Sequence, residues 1–449
     1  MRATRWNRAA RVAAPLLMGA LAAFAATAHA APRGERLSPA EARMVRSVDD
    51  GFEGSVALLE RLVNQNSGTL NLAGVEAVGR MMRAELEPLG FAVEWKPMTQ
   101  TGRAGHLIAV HRGRPGSKRI LLIGHLDTVF EPGSPFQKFV RRGDKAEGPG
   151  VGDDKGGLVV ILSALQAMRA AGTLGAANIE IVLTGDEEDA GTPIATARAD
   201  LIAAGRRADV ALDFEGLVTE DGKDMGSIAR RSVTDWTLTA TGHTGHSSLI
   251  FTPEQGDGAV NELARILAAF RTELPEPNLT FNAGVIAGGS TATIDDSGSA
   301  RATGKTNIIA AVAIAKGDFR TLSNEQTARV RAAMERIVAA HAPGTDARIV
   351  FGEGYPAMAP TPGNQALLAA LNGVNRALGL AEMAPLDPLK RGAGDISFVA
   401  ADVDSLAGLG TLSTGDHAPG ETVELTSIRR QAKRAAILIS RLSAEPRTR

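Results

Sequence analysis

The sequence predicts an α/β fold into which a smaller α+β unit is inserted. Apolar strand-like runs alternate with amphipathic helical stretches in the first half, the pattern changes near Arg231, and the first pattern returns towards the C-terminus. A chain of 449 residues also exceeds the size at which single hydrophobic cores stop growing, so we expect two domains. The predicted boundaries are 31–229 for the first part of the larger domain, 230–345 for the insert and 346–449 for the second part.

The larger domain is expected to begin with a helix, because Ser38-Pro39-Ala40-Glu41 has the form of a capping box with proline at the first helical position. A second amphipathic stretch at 75–89 predicts another helix, and residues 91–95 alternate like a strand. The elements that follow are strands at 106–110, 120–123, 178–183 and 210–214 and helices at 157–171 and 193–204. Strands that alternate with helices are typical of a sheet covered on both faces.

The insert has a different pattern, which predicts an α+β unit of about 120 residues, a normal domain size. Its expected elements are a strand at 233–239, a helix at 258–270, a β-like run at 307–319 and a helix at 324–341. The pattern of the larger domain then resumes with helices at 365–378 and 427–442 and a short strand at 405–409.

The first thirty residues have the pattern of a secretory signal peptide. Arginines at positions 2, 5, 8 and 11 precede the apolar stretch 12–26, and Ala28-His29-Ala30 forms a small-x-small cleavage site. We therefore expect a cut after Ala30 and a periplasmic or secreted protein. The alternative is an uncleaved anchor, but the apolar stretch is short and rich in alanine for a permanent membrane span.

Composition excludes one class of protein and restricts the chemistry of any site. A formal net charge of −1 without a Lys/Arg cluster argues against nucleic-acid binding, which needs a basic face. A composition of 44% hydrophobic and 22% charged residues is typical of an ordinary soluble globular protein, which we expect the mature part to be. The chain has no cysteine, so it offers neither disulfides nor a thiolate nucleophile, and any metal site must use His, Asp and Glu.

Acidic and imidazole side chains follow the ends of several predicted strands. Asp186-Glu187-Glu188 comes directly after a strand, as do His125 and Glu215, and His417 follows another apolar segment. Each alone could be a solvated turn, but in open α/β sheets ligands bind beyond the carboxyl ends of the strands. Crowded carboxylates there are costly unless a cation or a shared proton compensates. Asp127 is placed to accept the other imidazole N–H of the nearby histidine.

The glycine-rich loop at 148–157 opens a predicted helix and contains Asp153 and Asp154. Its glycines permit tight turns that hold the two aspartates at one point. A phosphate-binding loop is the competing interpretation, but the aspartates would repel an anion and the Gly-x-x-x-x-Gly-Lys-Ser/Thr pattern is absent. We expect a carboxylate loop for a cation. Oxygen and imidazole ligands without thiolate suit zinc, with cobalt or manganese as substitutes.

Taken in order, these motifs resemble the M20 metallopeptidases, particularly the glutamate carboxypeptidase and carboxypeptidase G2 type, over nearly the whole mature chain. The resemblance implies a phosphorylase/hydrolase-like catalytic domain with two zinc ions per subunit. The implied roles are His125 and Glu215 on one zinc, Glu188 and His417 on the other, Asp153 as the bridge, Glu187 as the general base and Asp127 as the orienting residue. It also implies a cis peptide bond between Asp153 and Asp154.

The insert resembles the lid and dimerisation domain of that family, with a ferredoxin-like fold, so we expect a homodimer. Gly242-His243-Thr244-Gly245-His246 resembles the family's Gly-x-x-x-His loop, which makes His246 the expected oxyanion-stabilising residue, reaching the partner subunit's site. Two surface histidines in a turn are the alternative. Asn307 and Arg320 resemble residues that bind the terminal carboxylate of the substrate, a task suited to the planar fork of arginine. Arg320 could instead pair with Asp318.

Two departures from the family pattern concern the substrate side. Asn307-Ile308-Ile309-Ala310 stands where relatives often have Asn-Val-Ile-Pro, and Arg391-Gly392-Ala393-Gly394-Asp395 stands where many have Gly-Gly-x-x-Asp. Arg391 could add a second positive contact near the site, or it could face solvent.

The sequence as a whole predicts an exported di-zinc metallopeptidase that hydrolyses a C-terminal peptide or amide bond, with a small peptide or N-acyl amino acid as substrate and a glutamate carboxypeptidase-like preference. One alternative is an M20-type aminoacylase or dipeptidase that uses the same centre. Another is a non-catalytic peptide-binding or metal-binding protein. An intact Glu187 argues against the latter, because a binding protein has no need of a water-activating carboxylate.

Overall fold

The structure is a computed structural model that describes residues 36–447, and the predicted signal peptide lies outside these residues. Before the insert, the helices are α1 (Pro39–Asp50), α2 (Phe52–Asn64), α3 (Leu72–Leu86), α4 (Lys155–Ala171), α5 (Ile194–Ala197) and α6 (Ala199–Arg207). The strands of the same stretch are β1 (Ala92–Pro97), β2 (Gly105–His111), β3 (Arg119–His125), β4 (Val140–Arg142), β5 (Lys145–Glu147), β6 (Asn178–Thr184), β7 (Val210–Asp213), β8 (Thr219–Glu220) and β9 (Lys223–Gly226).

The remaining elements belong to the insert and to the C-terminal part of the larger domain. The insert contains β10 (Thr234–Gly242), α7 (Ala259–Glu273), β11 (Thr280–Gly289), β12 (Thr291–Ile294), β13 (Ala300–Thr303), β14 (Val312–Arg320), α8 (Asn324–Ala339) and β15 (Thr345–Phe351). The C-terminal part contains α9 (Pro362–Leu378), β16 (Ala384–Pro385), β17 (Ser405–Leu406), β18 (Ser413–Thr414), β19 (Thr422–Glu424) and α10 (Leu425–Ala444).

Local signals set several of the helix ends. The capping box predicted at the start of α1 is present, with Ser38 accepting from the backbone of Glu41 and the Glu41 carboxylate accepting from the backbone N–H of Ser38. Asn71 and Thr361 cap α3 and α9 with a side-chain oxygen alone, which accepts from the backbone N–H of Gly74 and of Asn364. The helix α9 ends at Gly379 in the left-handed conformation that glycine adopts without a steric penalty.

The larger domain is built on a six-stranded sheet in the order β1-β2-β6-β3-β7-β17. The four strands from β6 to β17 are parallel, and β2 and β1 continue the sheet antiparallel at one edge. Side chains of β3 alternate between two cores: Ile120 and Leu122 pack in the core that contains α4 and α10, and Leu121 and Ile123 pack in the core that contains α6. The predicted α/β sheet with helices on both faces is therefore confirmed.

The parallel strands determine where in the fold the candidate site lies. Their carboxyl ends lie at the same edge of the sheet, so the loops after β3, β6 and β7 start side by side. His125 is the last residue of β3, and the acidic triplet 186–188 and Glu215 lie in the loops after β6 and β7.

The insert folds as a four-stranded antiparallel sheet in the order β11-β14-β10-β15, with α7 and α8 packed against it. The chain order βαββαβ with this strand order is the ferredoxin-like arrangement, and β12 and β13 form an additional hairpin. Trp236 and Phe270 meet edge to face in its core, with ring centroids 6.1 Å apart. The last strand pairs with β10 and ends at Phe351, so this sheet extends beyond the predicted boundary at 345.

Two short antiparallel bridges join the chain segments that enter and leave the insert. Arg230 pairs with Met358, and Val233 pairs with Tyr355. The two crossings between the domains therefore form a ribbon. Among the helices of residues 36–447, none combines the length and the apolar character that a membrane span needs.

Candidate metal centre

His125 lies at the end of β3 and is held on both sides of its ring. Its Nδ1 atom is 3.3 Å from Asp127 Oδ1, and its Nε2 atom is 2.9 Å from Asp153 Oδ1. The buried Asp127 carboxylate also accepts from the Thr69 hydroxyl at 2.7 Å and from the backbone N–H groups of Glu187 and Glu188, both at 3.1 Å. Asp127 therefore orients both the imidazole and the acidic loop, as a residue behind a metal ligand commonly does.

Asp153 lies between the two predicted imidazole ligands. His125 contacts its Oδ1 atom, and His417 Nε2 lies 3.1 Å from its Oδ2 atom and 3.1 Å from Glu188 Oε2. Each oxygen of one carboxylate thus faces a different histidine, which is the arrangement expected of a carboxylate that bridges two cations. The Asp153–Asp154 peptide bond is cis, as the resemblance implies. Asp154 points elsewhere, since its Oδ2 atom accepts from the backbone N–H of His125 at 3.2 Å.

These residues fit a zinc centre. Ligand atoms of His125, Asp153 and Glu188 all lie within 4.8 Å of one another, and nitrogen and oxygen donors of this kind suit zinc. Hydrogen bonds to Asp153 and Glu188 raise the pKa of His417 to about 11, so the two carboxylates hold a proton on its imidazole. A metal ion at this position would have to displace that proton, because only the neutral imidazole binds metals.

Glu215, after β7, faces two arginines instead of a histidine. Arg230 Nη1 lies 2.5 Å and Arg391 Nη2 3.2 Å from its Oε2 atom, and within residues 36–447 no hydrogen bond occupies Oε1. Glu215 can therefore serve as a ligand through one oxygen, although it is not drawn into contact with His125 as the predicted pairing suggests. Arg391 does not face solvent, because its side chain is only 16% exposed. Burial and the Glu215 charge raise the pKa of the neighbouring Asp213 to about 7.

Glu187 and Glu188 are adjacent but have different surroundings. The Glu188 carboxylate contacts His417, whereas the Glu187 carboxylate makes no hydrogen bond to any residue of the described chain. The Glu187 backbone is fixed, since its N–H donates to Asp127 and its carbonyl accepts from the Tyr355 hydroxyl at 2.9 Å. Burial and the Glu215 charge raise the pKa of Glu187 well above its usual range. The two glutamates therefore differ in what they can do: the Glu188 carboxylate faces the metal site, and the Glu187 carboxylate is free to accept a proton.

Asp186 shapes the acidic loop through a network that the sequence does not predict. Its Oδ1 atom accepts from Arg198 Nη1 at 2.5 Å, and its Oδ2 atom accepts from the Gly191 N–H at 2.9 Å. The fully buried Arg198 also donates to Asp395 at 2.7 Å and to the Tyr355 hydroxyl at 2.8 Å. One signal could have indicated this network: a buried Asp186 needs a cation, and Arg198 lies in the predicted helix that follows.

Glu421 is a second residue that the sequence does not single out. Its fully buried carboxylate accepts from three backbone N–H groups of the glycine-rich loop, those of Gly150 at 2.8 Å, Gly152 at 2.7 Å and Asp153 at 3.0 Å. The loop thus binds an anion through its backbone while Asp153 presents its side chain to the histidines. The glycine pattern was the available signal, because successive N–H groups in such loops favour anions.

The predicted residues of the insert are not brought into contact with this cluster. His246 is exposed and its Nδ1 atom lies 2.8 Å from the Ser248 hydroxyl, and Asn307 is exposed beside it. Arg320 Nε donates to Asp318 at 3.0 Å, which is the alternative pairing considered above. Its Nη1 atom nevertheless lies close to Gly392, 3.7 Å from where a Cβ atom there would be. The roles of all three residues stay predictions.

Comparison with known proteins gives, for most of the chain, the same family as the sequence motifs do. Residues 121–441 match Peptidase family M20/M25/M40. Carboxypeptidase G2 of Pseudomonas sp. (strain RS-16) is 29% identical over 440 residues, which cover 95% of this chain and 98% of that protein. A succinyl-diaminopimelate desuccinylase of Sphingopyxis alaskensis is 30% identical over 305 residues, 66% of this chain and 75% of that protein.

The fold is also similar to solved structures. One is the Bacillus subtilis YXEP protein, described as a dinuclear metal-binding peptidase from the M20 family. It superposes with a TM-score of 0.60 at 16% identity, over 87% of this chain and 98% of that one.

Proposed function

The chain belongs to Peptidase family M20/M25/M40, and we propose that it is a di-zinc carboxypeptidase that releases a C-terminal amino acid, with glutamate expected, from a small peptide or an N-acyl amino acid. The observation that carries this proposal is the position of Asp153 between His125 and His417, with the unengaged Glu187 carboxylate on the neighbouring loop. The similarity to carboxypeptidase G2 over nearly the full chain supports the reaction.

In the proposed centre, His125 and Glu215 would hold one zinc ion, Glu188 and His417 would hold the other, and Asp153 would serve both. When bound, the two ions would supply Lewis acidity that activates a water molecule and polarises the scissile carbonyl. Cobalt or manganese could take their place.

The chain's own residues then move the proton and position the groups. Glu187 accepts the proton of the attacking water as the oxygen bonds to the carbonyl carbon, and donates it to the leaving nitrogen as the C–N bond breaks. Asp127 keeps the His125 ring and the backbone of the acidic loop in register through the contacts described above. Both functions need a fixed loop, which Asp127 and Tyr355 supply.

The insert is proposed to complete the site. Arg320 and Asn307 bind the terminal carboxylate of the substrate, and His246 stabilises the oxyanion in the partner subunit of a homodimer. The exposure of His246 and the closeness of Arg320 to the Arg391 loop support this arrangement. Mixing Glu187→Gln and His246→Ala dimers tests it: subunit exchange should restore about a quarter of the activity, since half of the dimers then carry one complete site. No recovery after verified exchange would argue that each subunit acts alone.

The decisive test is Glu187→Gln in the zinc-loaded protein. We expect bound zinc to be unchanged and turnover to fall about a thousandfold, because only proton transfer is lost. The assay uses N-acyl amino acids that differ only in the C-terminal residue, with Arg320→Ala alongside, whose KM should rise for every carboxylate substrate. Full activity in Glu187→Gln would remove the base assignment, and inertness of the wild type towards the whole panel would remove the carboxypeptidase proposal.

An amidohydrolase that acts on a different acyl group is the second candidate, supported by the similarity to succinyl-diaminopimelate desuccinylase. The same panel separates the two when N-succinyl amino acids are included. Selectivity for the acyl group with indifference to the C-terminal residue would favour the amidohydrolase.

Export is proposed from the N-terminal pattern alone. The arginines before the apolar stretch 12–26 and the Ala28-His29-Ala30 site support cleavage after Ala30. N-terminal sequencing of the protein from its native cell envelope should begin at Ala31, and an intact Met1 would contradict cleavage.

A further inference from the structure

Two loops far apart in sequence carry neighbouring metal ligands, and one side chain joins them. Asp153 belongs to the glycine-rich loop before α4, and His417 belongs to the loop after β18. Glu421 follows four residues after His417 and reaches back to the glycine-rich loop with its carboxylate. Its own carbonyl accepts from Gly148 N–H at 3.1 Å, and its N–H donates to the Ala418 carbonyl at 3.1 Å. Glu421 therefore contacts both loops.

The backbone N–H groups around Glu421 form an anion-binding site, and the Glu421 carboxylate is the anion that fills it. The carboxylate is fully buried, and the three backbone N–H groups offset part of its cost of burial. Within residues 36–447 no side-chain cation forms a salt bridge with it. The nearby Lys155 is also buried, which lowers its pKa to about 7, and its Nζ donates to the Gln65 carbonyl at 2.9 Å.

The loop has little room to adopt another shape. Gly150 has a φ of +68°, which side chains other than glycine rarely adopt. A Cβ atom on Gly152 would lie 2.2 Å from the Ser413 Cβ atom, so the loop packs directly against β18. With its backbone pressed against one strand and its N–H groups bound by Glu421, the loop can present Asp153 in only a narrow range of positions.

We propose that Glu421 is a positioning residue, which fixes the Asp153 carboxylate relative to His417 and so sets the affinity of the centre for its metal ions. This proposal rests on the metal centre of the proposed function. Glu421 acts through the backbone of Asp153 and touches neither substrate nor reacting atoms. Its role explains why a glycine-rich loop with anion-binding geometry lies at a site for cations.

The test compares Glu421→Gln with the matched control Glu424→Gln, three residues further on, whose side chain makes no hydrogen bond in the described chain. Glutamine keeps the size but turns one acceptor into an NH₂ donor that faces backbone N–H groups. We expect zinc affinity, measured by chelator competition, to fall ten- to a hundredfold, the range seen when partners behind metal ligands are lost. The absorption bands of the cobalt-loaded protein should shift, while far-ultraviolet circular dichroism stays unchanged.

A second variant keeps the proposal testable if glutamine impairs folding. Glu421→Ala opens a cavity lined by the same N–H groups, and added formate should refill it and recover at least part of the zinc affinity. Glu424→Gln should keep wild-type affinity and should not respond to formate.

Three outcomes are distinguishable. Wild-type zinc affinity and cobalt spectrum in Glu421→Gln would overturn the proposal, as would a Glu421→Ala protein that melts at a lower temperature yet binds zinc normally, which would make Glu421 a structural brace only. Absence of divalent metal binding in the wild type would instead overturn the proposed function.

Discussion

The Glu188 half and the Glu215 half of the candidate centre compensate their negative charge by different means. Glu188 and Asp153 share the imidazole of His417, whose side chain is 59% exposed. Glu215 is held by Arg230 and Arg391, whose side chains are 5% and 16% exposed. One half therefore relies on a group that can lose its charge, and the other has permanent cations. We expect the first half to depend on metal for its charge balance and the second to be stable without it.

The largest effect should come from Glu215→Gln, because in a buried site it leaves Arg391 without its carboxylate and Arg230 with only the more distant Asp213, at 3.4 Å. Breaking one side of a buried ion pair costs about 3 kcal/mol of stability. Glu188→Gln should change stability by less than about 1 kcal/mol, since burial already disfavours the charged Glu188 carboxylate and its partner His417 is exposed. Urea unfolding of the metal-free proteins in a chelator measures both.

Similar losses in both variants would show that the two halves are equivalent and would contradict the comparison. When zinc is present, the order of the two variants in stability should change. Both variants lack a ligand, so both should bind the metal more weakly and gain less stability from it.

Arg391→Gly should have an effect of intermediate size. It should strengthen metal binding, whereas the two carboxylate variants weaken it. It removes a positive charge beside Glu215 and leaves Arg230 in place. Zinc affinity of the weaker step in a stepwise titration should rise about tenfold, since a cation near a metal site opposes binding. Arg112→Gly, an exposed loop arginine, is the control. Weaker zinc binding in Arg391→Gly would mean that the guanidinium supports the ligand geometry of Glu215.

Tyr355→Phe should have a smaller effect than Glu215→Gln on stability, and the smallest effect of these variants on the centre itself. The hydroxyl donates to the Glu187 carbonyl and accepts from Arg198, so its loss removes one neutral and one charged hydrogen bond. We expect a loss of about 1 kcal/mol in stability and a few-fold fall in kcat with KM unchanged, because the loop of the proposed base is loosened. A change in KM alone would show that Tyr355 acts on substrate binding instead.

The parts of the fold and site that could be predicted from the sequence are those encoded locally. The capping box at Ser38, the strand-end position of His125 and the acidic loop each depend on neighbouring residues, and the family likeness orders them. The strand β15 also has an alternating pattern and could have been included in the insert.

The parts that could not be predicted depend on pairings across the chain. Glu421 and Gly150 are 271 residues apart, and Arg391 and Glu215 are 176 apart. No spacing rule connects such residues, because the contact exists only after the sheet and its loops have formed. Buried arginines are especially hard to predict, since most arginines lie at the surface.

The paired crossings between the domains have a mechanical consequence. A single linker would let the insert swing without disturbing the larger domain, but a ribbon joined at Val233–Tyr355 and at Arg230–Met358 must bend as a unit. Arg230 on one side of this hinge holds Glu215, and Tyr355 on the other holds the Glu187 backbone. A movement of the insert about this ribbon would therefore be transmitted to the Glu215 carboxylate and to the backbone of Glu187, and so to the geometry of the centre.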